Sequence, residues 1–220
     1  MFSRTFDEDF CLFSSMGMHT QDKVHWFKKI ENLHPYQTLL YLGMFGSALI
    51  FLFLLTAFFA SQPTISAVGN FKMPKAFILS SVFLLVSAFT AAKIPHHYEA
   101  DEIKRLKNSL IATFLLGLGF TGLQILGWKE LTAMGVNFTG LASGSFLYVL
   151  SGIHILHLAG AMVFGLVMLL QINKCQRDEI KSLFLLSNPY EKMKIELFAI
   201  YWKFMDIIWL VLFVTFLWFI

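Results

Sequence analysis

Charge is what this chain of 220 residues has least of. Asp, Glu, Lys and Arg together make up 14% of it, against roughly a quarter in an average soluble domain. With 57% of positions hydrophobic and 25 phenylalanines, it has too little polar surface to cover its apolar residues in water. That excludes a soluble globule and leaves the bilayer as solvent. Cysteine is also scarce. Cys11 and Cys175 share no C-x-x-C spacing, which excludes a disulfide framework and a thiolate metal site. Internal repeats, low-complexity tracts and loops long enough for a soluble domain are lacking too. The formal charge of +3 is small and sits in loops on one side, a pattern of membrane orientation that excludes a nucleic-acid partner.

Long apolar runs are what the chain does have. A spanning helix needs about 20 apolar residues, because each rises about 1.5 Å against a hydrocarbon core of about 30 Å. Five stretches satisfy this: residues 36–60, 76–92, 108–128, 142–173 and 197–220. The fourth belongs to an uncharged region over 131–173, in which Gly135, Asn137 and Gly140 place the helix start near Ala142. At about 1.5 Å per residue it runs about 48 Å, so it must tilt or project past the lipid. The expected fold is an all-α integral membrane protein, with a tail over residues 1–35 and a five-helix membrane domain over residues 36–220.

Thirteen of the 17 Lys and Arg residues lie before the first span, between the second and third, and between the fourth and fifth. Lys72, Lys75 and Lys129 lie on the opposite side, and Lys203 sits within the last span. The positive-inside rule therefore predicts a cytoplasmic (or matrix-side) N-terminus and an outside C-terminus. The first 35 residues carry Asp7, Glu8 and Asp9 and no apolar stretch of the signal-peptide kind, so a retained tail is expected. Within it, Val24, Trp26, Phe27, Ile30 and Leu33 alternate with Lys28 and Lys29. They fit either a short interfacial helix or a plain solvated tail.

Ionisable residues inside the membrane are the first candidates for function, since each charge at mid-bilayer costs roughly 2.5–3.5 kcal/mol on insertion scales. His154 and His157, three apart, share one face of the fourth helix. They read first as hydrogen-bonded packing histidines. A metal site would need further ligands from other spans at similar depth, and none is written there. Lys203 and Asp206 share a face of the fifth helix. Either they form a local ion pair with a snorkelling lysine, or Asp206 reaches another helix at the level of His157. Small residues suit close packing, among them Gly117, Gly119 and Gly122 on the third span and Gly140, Gly144, Gly152, Gly160, Ala161 and Gly165 around the fourth. On the last span Trp202 and Trp218 suit inner and outer aromatic belts, with Tyr201 beside Trp202. Trp209, near the middle, needs a buried acceptor or a lipid carbonyl for its N–H.

Three stretches together resemble subunit III of the haem-copper terminal oxidases, the cytochrome c oxidase family. The fourth span has Gly144-Ser145-Phe146, then Gly152-Ile153-His154-Ile155-Leu156-His157 and Gly160, similar to the family's G-S-x-F…G-F-H-G-L-H…G. The last has Tyr201-Trp202-Lys203-Phe204-Met205-Asp206-Ile207-Ile208-Trp209-Leu210, similar to Y-W-H-F-V-D-V-V-W-L. Leu123-Gln124 with Trp128 is a weaker third element. Family members usually have seven helices, the first two a separate hairpin, and bacterial five-helix forms are known. Losing a hairpin leaves the topological parity unchanged.

The resemblance implies a non-redox subunit with no catalytic residue and no metal of its own, flanking the catalytic subunit I, with haem and copper on partner subunits. It further implies phospholipids held between the helices and support for proton uptake during O2 reduction to water, in a bacterial inner membrane rather than a mitochondrial one. A quinol oxidase or a nitric-oxide-reductase-associated complex is the alternative setting. His154, His157, Tyr201, Trp202, Lys203, Asp206 and Trp209 become the expected lipid-binding or buried structural set, and Gly144, Gly152 and Gly160 the packing set. Two positions depart from the family: its buried glutamate is Ala48 here, and its histidine between Trp and Phe is Lys203. A free-standing transporter or a membrane-embedded metal enzyme would need discontinuous helices or further ligands.

Overall fold

The computed structural model describes residues 34–61, 74–136, 138, 142–175 and 187–219. They contain five α-helices: α1 (Pro35–Ser61), α2 (Lys75–Glu99), α3 (Ile103–Ala133), α4 (Ala142–Cys175) and α5 (Pro189–Phe219). All five are long and apolar enough to cross a membrane, and the protein is a multi-pass membrane protein. The tail with its interfacial-helix residues Val24 to Leu33, and the loop positions Asn137 and Gly140, lie outside the described residues.

Apolar sequence sets where each helix meets lipid, but not where it stops. α2 continues through Lys93, His96, His97 and Glu99, and α3 already includes Lys104, Arg105 and Lys107, since a helix satisfies its own backbone in water as well as in lipid. The connection between them shrinks to residues 100–102. Asp101 turns it with φ 57°, a left-handed conformation that a short polar side chain tolerates. α4 is 34 residues long, about 51 Å at the standard rise. α5 opens with Pro189 at its first position, where the missing N–H would be unpaired anyway. Asn188 precedes it, and its Oδ1 accepts the Tyr190 N–H at 3.0 Å as an N-cap.

The chain divides into two compact units, Met1–Leu42 and Gly43–Ile220. In the described part of the first, the His34 carbonyl accepts the Gln37 N–H at 2.8 Å where α1 begins, and the His34 and Tyr36 rings stack at 5.3 Å. In the second, α2 packs on α3, α3 on α4, α4 on α5 and α5 back on α2, a closed ring of four helices. Residues 43–61 of α1 join this ring through two buried rings. Phe51 meets His154 and His157, and Phe58 meets Phe146 and Phe216. At one end of the ring Lys192 Nζ on α5 binds Glu99 Oε1 on α2 at 2.9 Å, across an exposed surface.

Lipid tails are as apolar as leucine, so what holds such helices together is close contact and polar pairing rather than escape from water. Glycine supplies the contact along α3. A Cβ at Gly127 would lie 2.6 Å from the Phe77 ring, and one at Gly119 would lie 2.8 Å from the Phe83 ring. Gly117 makes room for Trp202, and Gly165 on α4 for Phe198. Gly144 is buried near the start of α4. Gly152 has only the Trp128 ring at 3.9 Å, and nothing within 4 Å faces Gly160.

Candidate functional site

The polar interior of the ring is built around α5. Residues 202, 206 and 209 recur at helical spacing, so one stripe of the helix presents Trp202, Asp206 and Trp209 inward. All three are buried, the two indoles almost completely. Trp209 touches every wall: its ring stacks on Phe77 of α2, meets Phe120 of α3 edge-on at 4.9 Å, and lies 5.1 Å from His154 of α4. Its Nε1–H donates to Ser81 Oγ at 3.0 Å, the buried acceptor the sequence calls for. One level away, Trp202 Nε1–H donates to Ser87 Oγ at 3.1 Å. Trp202 is therefore a core residue and not a member of an inner aromatic belt, because a serine lies opposite it on α2. Trp218, 81% exposed, remains on the outside.

The α2 serines are suited to this. Ser80 and Ser81 donate their hydroxyl protons to the Phe77 carbonyl, and Ser87 donates to that of Leu84. Their oxygens are left as acceptors for the neighbouring helices. Ser80 takes the Gln124 Nε2–H of α3 at 2.8 Å. On the other side of the ring, Trp128 Nε1–H of α3 donates to Ser151 Oγ of α4 at 3.0 Å. None of these serines stood out in the sequence as a site residue. The available signal was small polar residues inside uncharged spans, at the spacing of one helical face.

The two histidines differ in their surroundings. His157 donates Nδ1–H to the Ile153 carbonyl at 2.8 Å, one turn back on its own helix, while Tyr201 of α5 directs its hydroxyl at the His157 carbonyl at 3.5 Å. His154 is fully buried, packed edge-on against Phe120, and neither of its ring nitrogens has a partner among the described residues. The carboxyl oxygens of Asp206 are likewise buried and unpaired, so it forms neither the local ion pair with Lys203 nor a hydrogen bond to His157. Lys203 points outward and is exposed. No group of three His, Cys, Asp or Glu residues able to hold a metal occurs among the described residues.

The stripe on α5 and the face of α4 that it meets are the two stretches on which the family resemblance rests. Residues 33–220 match the family described as Cytochrome c oxidase subunit III. The chain belongs to the cytochrome c oxidase subunit III family. Among its relatives, "Cytochrome c oxidase subunit 3" of Bacillus sp. (strain PS3) is 32% identical over 148 residues, 67% of this chain and 66% of that protein. "Probable quinol oxidase subunit 3" of Staphylococcus aureus (strain USA300) is 27% identical over 143 residues, 65% of this chain and 66% of that protein. The chain thus spans just under two thirds of the length of these relatives. In this subunit III chain, the two signature stretches meet where Trp209 and His154 pack together.

Proposed function

We propose that the protein is a non-catalytic accessory subunit of a proton-pumping haem-copper oxidase that reduces O2 to water. It flanks and stabilises the catalytic subunit I, holds phospholipid, and supports proton uptake, with haem and copper on the partner subunits. The match of residues 33–220 to subunit III carries this reading. The character of the interior supports it: its hydrogen bonds run from indole or amide to serine and join helices to one another. An apolar groove of about 660 Å³ beside α1, lined by Leu49, Ile50, Leu52, Phe53, Thr56 and Ile153, suits an acyl chain. The excess of Lys and Arg in three of the loops supports an N-terminus inside and a C-terminus outside, and the bacterial relatives support the bacterial inner membrane.

A quinol oxidase is the second reading, favoured by the relative of that name in Staphylococcus aureus. One preparation tests both. The tagged chain is purified in mild detergent, its reduced-minus-oxidised haem spectrum is recorded, and oxidation of reduced cytochrome c and of a quinol by the complex is compared. Haem in the complex and none in the isolated chain is expected. Haem retained by the isolated chain refutes the accessory role, and the preferred donor assigns the complex.

A further inference from the structure

Asp206 is the only acidic side chain within the five apolar stretches. It is 8% exposed, and neither Oδ1 nor Oδ2 has a hydrogen-bond donor among the described residues. The donors around it are committed elsewhere. Trp202 and Trp209, which flank it on the same face, give their N–H groups to Ser87 and Ser81. Tyr201 gives its hydroxyl, and His157 its Nδ1–H, to carbonyls of α4.

Among the described residues, no cation faces it either. The membrane stretches 43–61 of α1, 76–92 of α2 and 108–128 of α3 contain no titratable or charged side chain. Over residues 142–173, α4 offers only Tyr148, His154 and His157. The Tyr148 hydroxyl is bound at the other end of the helix, at the Val136 carbonyl. On α5 itself Lys203 is exposed, and Glu196 is held toward Lys192 at 3.8 Å. His154 alone remains, uncommitted at both nitrogens and one turn along the stripe, against Trp209.

An ionised carboxylate has about four acceptor sites and needs donors or a cation to stay charged away from water; with neither, it takes up a proton instead. We propose that Asp206 is a proton-binding site inside the membrane, carried as a neutral carboxylic acid on the inward stripe of α5. The inference rests on this interior and not on the identity of the complex.

The test uses the complex with which the full chain purifies. Infrared spectra of wild type and D206N are compared in H2O and D2O, with and without aspartate labelled with 13C at its side-chain carboxyl. Wild type is expected to show a free-acid carbonyl band that moves down on deuteration and on labelling, and D206N to lose one aspartyl group's share of it. Should D206N not assemble, D206E replaces it; the acid band then persists, but its shift with the aspartate label falls by one aspartyl group's share. Retention of the full label-sensitive acid band in either variant overturns the proposal. So does a loss from the carboxylate band in D206N.

Discussion

The indole N–H of Trp209 donates to the hydroxyl oxygen of Ser81 at 3.0 Å, across the interface between α5 and α2. Ser81 has already spent its own proton on the Phe77 carbonyl, so the pair has a fixed polarity: α2 accepts and α5 donates. Trp202 and Ser87 repeat the arrangement at another level. Two such bonds of the same sense pin the rotation and the height of α5 against α2.

Removing the acceptor alone leaves a buried indole donor unpaired. S81A is expected to lower the unfolding free energy by about 1–3 kcal/mol. A double-mutant cycle with W209F isolates the pair, and the coupling should be positive and of order 1 kcal/mol. Thermal unfolding of the purified protein followed by tryptophan fluorescence measures S81A; far-ultraviolet circular dichroism serves the W209F arms. Additive effects of the two substitutions would show the bond to be energetically idle.

The glycines of α3 should separate cleanly by position. G127A drives a methyl against the Phe77 ring at 2.6 Å, and Phe77 is fully buried and stacked on Trp209, so it has little room to retreat. A loss of about 1–3 kcal/mol is expected from overpacking. G122A meets nothing within 4 Å and should gain about 1 kcal/mol from helix propensity. Melting temperatures of the two variants moving in the same direction would contradict this.

Gln124 is fully buried, with its Nε2 bound to Ser80 and its Oε1 without a partner among the described residues. Q124L removes an unsatisfied acceptor and leaves Ser80 still bonded to the Phe77 carbonyl. Stability should stay within about 1 kcal/mol of wild type or rise. S80A, which strands the amide, should cost about 1–3 kcal/mol. The comparison of the two melts is the measurement, and equal losses would refute the asymmetry.

Phe58 is fully buried between Phe146 and Phe216. F58A should weaken the hold of residues 43–61 on α4 and α5. Its cost should fall below the about 3–5 kcal/mol of the same truncation in a soluble core, because lipid tails give the exposed side chains an apolar solvent and only packing is lost. Limited proteolysis of the tail side of α1 and thermal unfolding together would register this, and an unchanged proteolysis rate would count against it.

Length and composition alone determined that the chain crosses a membrane with five helices, because a bilayer imposes one dimension and a chemistry that residue counting captures. The motifs on the fourth and fifth spans also determined the family, and Trp209 was singled out by depth as a donor in need of an acceptor. The partners were not legible. Whether Trp202 faces lipid or Ser87, whether Lys203 or nothing answers Asp206, and which glycines are crowded depend on the rotation of each helix about its axis. An all-round apolar helix carries no amphipathic stripe to announce that rotation. Only the ring closed by α2, α3, α4 and α5 decided it, by bringing the few polar atoms of each span level with those of the next.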